Sequence, residues 1–79
     1  MTGYALLVTL TVEIEHASSS EWVAEVIELP GCLVVEPSED QALTRVEALA
    51  LRVLADRLEH GEAKVENLGP VAFITRSAA

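Results

Sequence analysis

Residues 38–61, "SEDQALTRVEALALRVLADRLEHG", constrain this chain more than any other stretch. Pro37 closes whatever precedes them. Ser38 is a helix cap, and Gln41 at the third helical position completes a capping box. Glu39 and Asp40 occupy the first turn, where the helix dipole favours anions. Ala42, Leu43, Val46, Leu49, Ala50, Val53, Leu54 and Leu58 then recur at helical spacing as one broad apolar stripe. Arg57 and His60 suit the carboxyl end, and Gly61 suits the position just past it. About 22 residues at about 1.5 Å each make a helix of roughly 33 Å with a single apolar side. That side has to lie on something of matching length.

The strands supply it. Residues 5–16, "ALLVTLTVEIEH", alternate: Leu6, Val8, Leu10, Val12 and Ile14 face one way, Thr9, Thr11, Glu13 and Glu15 the other. Period two with β-branched enrichment predicts a half-buried strand, and about 11 residues at about 3.3 Å span roughly 36 Å. "ASSS" (17–20) is a polar turn, and "EWVAEVIEL" (21–29) reads as a second strand. Trp22, Ala24 and Val26 share one of its faces; Val23, Glu25, Ile27 and Leu29 share the other. Pro30-Gly31 breaks it, since Pro brings no ladder donor and Gly permits positive φ. "CLVVE" (32–36) is a short third strand. After Gly61 a connector with a turn at Gly69-Pro70 leads to "VAFIT" (71–75), a last strand, and the tail "RSAA". The expected fold is α+β, β-β-β-α-β: an antiparallel meander, one long helix covering the sheet from end to end, and a fourth strand returning beside the first.

Seventy-nine residues make one domain, 1–79. The single cysteine forbids an internal disulfide and fits a reducing compartment. "MTGYALLVTLTVEIE" lacks the basic start of a secretory signal, and no apolar run approaches a spanning helix, so a cytoplasmic protein is expected. The formal charge of −8 argues against a nucleic-acid surface, whose affinity comes from Lys and Arg on phosphates. It fits either a well-solvated surface or an electrostatic match to a basic protein.

No constellation predicts chemistry. His16, Cys32 and His60 stand far apart in sequence, without the clustered pairs of structural zinc, and Cys32 after Pro-Gly reads as a small buried hydrophobe. Glycines stand singly, with no phosphate loop. Three strands and a helix also begin the ribonuclease H fold, whose two-metal chemistry needs carboxylates converging from separate elements. Glu13, Glu15 and Glu47 are available for that, but "VAFIT" carries no carboxylate. The expectation is no enzyme, no metal and no cofactor.

The ordered set Trp22-Val23-Ala24, Glu28-Leu29-Pro30-Gly31-Cys32 and Glu39-Asp40-Gln41-Ala42-Leu43 resembles the HicB-like antitoxin family over about residues 5–62. That resemblance implies a truncated ribonuclease-H-like fold without catalytic residues. It also implies a protein that neutralises a small basic HicA-like messenger-RNA interferase. Many family members continue into a DNA-binding domain. Here residues 62–79 hold one strand, so a stand-alone domain without direct nucleic-acid binding is expected. The alternative is a stand-alone oligomeric binding domain with an unrelated partner. Glu13, Glu15 and Glu25 are the candidate acidic contacts, with Ile27 and Leu29 as apolar anchors. The second apolar face of residues 21–29 predicts a homo-oligomer, a dimer or tetramer.

Overall fold

The computed structural model describes residues 8–61 and 70–78. Strands β1 (Val8–Ser18), β2 (Glu21–Val26) and β3 (Leu33–Glu36) are followed by helix α1 (Glu39–Glu59) and strand β4 (Val71–Ser77). The strands form one four-stranded mixed sheet in the order β3-β2-β1-β4. β2 runs antiparallel to β1 and to β3, while β4 returns parallel to β1. This is the α+β arrangement the residue pattern predicts. The expected strand at 5–16 is observed from Val8 to Ser18, and residues 5–7 lie outside the described part. The turn expected at Gly69-Pro70 falls partly outside it too.

Burial divides the sheet by parity. Leu10, Val12 and Ile14 of β1 and Ala24 and Val26 of β2 face α1 and are buried. Against them α1 sets Ala42, Val46 and Ala50, spaced by four and each 0% exposed. Two of these three are alanines, whose small side chains let a helix lie close to the sheet. Larger side chains close the flanks: Leu43, Leu49, Val53 and Leu54 are partly buried against the core. No side chain in the core is polar or charged among the described residues. The helix lies over β2 and β3, and less over β1. Val71 and Phe73 of β4 are half-buried and pack against the core.

Both helix ends are closed by the residues the sequence nominates. Ser38 Oγ accepts from the Gln41 amide at 3.2 Å, and Ala42 N–H donates to Ser38 O at 3.0 Å. The box differs from its usual form in one respect: Gln41 Oε1 takes the Ser38 hydroxyl at 3.0 Å. At the other end Gly61 adopts φ +72 and its amide donates to Leu58 O at 3.2 Å.

β2 ends at Val26, three residues short of the expected strand. The cause is the turn that follows. Cys32 N–H donates to Leu29 O at 3.0 Å, with Pro30 and Gly31 (φ +85) between them, which matches a type II turn. Below it, Val26 N–H donates to Cys32 O at 2.9 Å. Leu29 (3% exposed) and Cys32 (2%) both point into the core, so this turn packs inward.

Candidate functional site

The face of the sheet away from α1 carries the candidate residues. Its side chains fall in rows that the strand register fixes. One row runs Arg76 (β4), Glu13 (β1), Glu25 (β2), Leu33 (β3); the next runs Glu15, Val23, Val35. On the other side of Glu13, Thr11 sits beside Ile74. Glu13, Glu15 and Glu25 therefore share one surface, as expected from their spacing.

Their electrostatics are unequal. Glu13 and Glu25 are directly opposite each other, a placement that repels like charges. Arg76 relieves it: its Nε and Nη2 donate to the same Glu13 oxygen at 3.0 and 2.7 Å. Glu15 and Glu25 form no ion pair among the described residues. Among the described residues Glu15 and Glu25 thus carry uncompensated negative charge at the centre of this face, Glu28 adds to it beside Thr11, and Glu13 is largely neutralised. Exposed apolar side chains stand beside it: Leu33 (45%), Val35 (50%) and Ile74 (56%).

Ile27, 42% exposed, lies in the turn just past β2 and remains available as a contact. Leu29 does not. Its expected place as a surface anchor assumed that strand alternation continued to residue 29. The type II turn starts there instead, and the side chain is buried in the core. Val35 and Leu33, on the edge strand, are the apolar groups that the sequence reading passed over. A four-residue run apolar on both faces, at the edge of a sheet with one helix, was the available signal.

Glu28 was also missed. The ladder between β1 and β2 ends with Ile27 N–H donating to Thr11 O at 3.0 Å. Thr11 N–H then loses its regular partner, because the chain has turned away. The Glu28 carboxylate replaces it, accepting from Thr11 N at 2.7 Å and from Thr11 Oγ1 at 2.8 Å. The Thr11 amide holds the Glu28 carboxyl below the usual glutamate value, helped by the Thr11 hydroxyl and opposed by partial desolvation. This is a clasp between strand and turn, explained by backbone satisfaction alone.

The remaining chemistry-bearing groups stay apart. Cys32 is buried, and burial pushes its thiol up, away from the reactive thiolate. His16 stacks on Trp22 with ring centroids 4.1 Å apart and planes within 6°. Glu47 belongs to α1, on the other side of the sheet from Glu13 and Glu15, so these carboxylates do not converge. A shallow groove of about 320 Å³ beside the start of α1 is lined by Glu36, Asp40, Gln41, Thr44 and Arg45. Arg45 reaches Glu36 at 3.8 Å there, and Gln41 is engaged by the cap. Among the described residues no group of three or more His, Cys, Asp or Glu could hold a metal ion. No helix among them is long and apolar enough to cross a membrane. Comparison with family models, with curated proteins and with solved structures finds no match to this chain.

Proposed function

We propose that this chain is a non-enzymatic protein-binding domain of the cytoplasm that holds and neutralises a small basic protein on its helix-free sheet face. The HicB-like resemblance supplies the kind of partner: a HicA-like messenger-RNA interferase, bound by a ribonuclease-H-like domain that has no catalytic residues. The observation that carries the reading is the uncompensated pair Glu15 and Glu25, set beside exposed Leu33 and Val35 on one open surface of a −8 chain. Charge of this kind steers encounter with a cationic partner, and apolar groups at the centre of the patch slow its release.

Titration of the domain with a purified HicA-like protein, followed by biolayer interferometry, tests this. Binding at low salt is expected, with Glu15→Lys plus Glu25→Lys slowing association by about tenfold or more. Val35→Asp should act on the dissociation rate instead. Absence of binding at micromolar concentration and low salt would sink the reading. Retention of full association rate by the charge-reversed domain would move the partner off this face.

A further inference from the structure

The sheet has two edges, and they are not equally protected. β3 is four residues long. Val26 N–H donates to Cys32 O, so in the β2–β3 register Leu33 and Val35 direct their backbone groups outward. Leu33 N–H is already taken by Gly31 O at 3.1 Å, and Pro37 follows the strand with no donor at all. Shortness and a flanking proline are the usual devices against edge pairing. Only Val35 offers both groups there.

β4 is nearly twice as long at seven residues, and Pro70, which precedes it, leaves the strand itself uninterrupted. Val8 N–H donates to Pro70 O and Ala78 N–H donates to Ile14 O, which sets the phase of the parallel ladder. Even-numbered residues of β4 bond to β1, so Val71, Phe73 and Thr75 turn their N–H and C=O groups to the open edge. Among the described residues nothing pairs with them. The strand is apolar on both faces, with Val71 and Phe73 half-buried on the helix side and Ile74 exposed on the other. α1 lies over the other strands.

Charge identifies the occupant. β1, β2, β3 and α1 all carry carboxylates, from Glu13 to Glu59; β4 carries none, and its one charge, Arg76, is already bound to Glu13. A cationic partner gains more on the acid-bearing strands. A second copy of this chain, itself at −8, meets the least repulsion along this one neutral seam.

We propose that two copies pair antiparallel through β4 about a two-fold axis, extending the sheet across both chains and bringing Phe73 and Val71 of each copy together between the two helices. The pairing is isologous and closes at the dimer. It leaves the open face with Glu15 and Glu25 free, and it stands whether or not that face takes a basic protein.

Thr75→Pro tests it, because the lost N–H points to the open edge and the ladder to β1 is untouched. Sedimentation at tens of micromolar should show a dimer for the unmodified chain and for Thr75→Val, and a monomer of unchanged circular dichroism for Thr75→Pro. A monomeric unmodified chain, or a folded Thr75→Pro that remains associated, overturns the proposal. Should Thr75→Pro fail to fold, amide exchange of the unmodified chain decides. Protection at Phe73 and Thr75 that grows with protein concentration supports the seam. Fast exchange there at every concentration refutes it.

Discussion

The two faces of this sheet obey different physics. Toward α1, Ala24, Val12 and Val26 meet Ala42, Val46 and Ala50, all at 0% exposure, and shape decides what fits. Away from α1, Glu13 sits between Glu25 and Arg76, Thr11 beside Ile74, and charge balance decides what is tolerated. A substitution on the first face changes volume where nothing can relax. The same substitution on the second changes only a solvated surface. Stability therefore resides chiefly in the covered face.

The largest expected effect breaks the covered face outright. Val46→Asp places an unpaired carboxylate where nothing polar is buried, at a cost of several kcal/mol. At roughly 0.05–0.15 kcal/mol per residue a domain of this size holds about 4–12 kcal/mol, so the variant should be largely unfolded by circular dichroism. Val35→Asp, with an exposed side chain, should stay folded. Equal loss in both would erase the distinction between the faces.

A closer contrast lies in the turn after β2. Leu29→Ala should lower urea stability by about 2–5 kcal/mol, as for other buried leucines. Ile27→Ala, two residues earlier and exposed, should stay within about 0.5 kcal/mol. Gly31→Ala tests the same turn through the backbone: there is open space for the new Cβ, but φ +85 costs a non-glycine residue about 1–2 kcal/mol.

The smallest effect concerns pH. Glu28 titrates below its ordinary 4.5 because the Thr11 amide favours its ionised form. Such a group contributes its full stability above its unfolded value and loses it as pH falls through the depressed folded value. Stability measured by urea should therefore decline below about pH 4.5, and Glu28→Gln should flatten part of that decline. An unchanged acid profile in Glu28→Gln would show that the clasp is not energetically coupled to the fold.

Much of this was legible in residue order. The helix from Glu39 to Glu59, its cap at Ser38 and its end at Gly61 follow from side-chain type and spacing, because caps and stripes are local interactions within a few residues. The alternation of β1 assigned Glu13 and Glu15 to one face and Val12 and Ile14 to the other, since parity needs no knowledge of partners. Pro30-Gly31 was legible as a break.

Its depth was not. Whether Leu29 belongs to the outer face of a strand or to the inside of a turn depends on where β2 lets go of β1. That point is set by Thr11, Ile27 and Glu28, with Glu28 17 residues beyond Thr11. Likewise, no local pattern marks Glu13 as neutralised, because Arg76 lies 63 residues away and reaches it only through the parallel return of β4. Composition set the charge of this chain and local spacing set its elements. Tertiary pairing alone decided which carboxylates remain unbalanced and which strands form the edges of the sheet, because both depend on neighbours brought together from distant parts of the sequence.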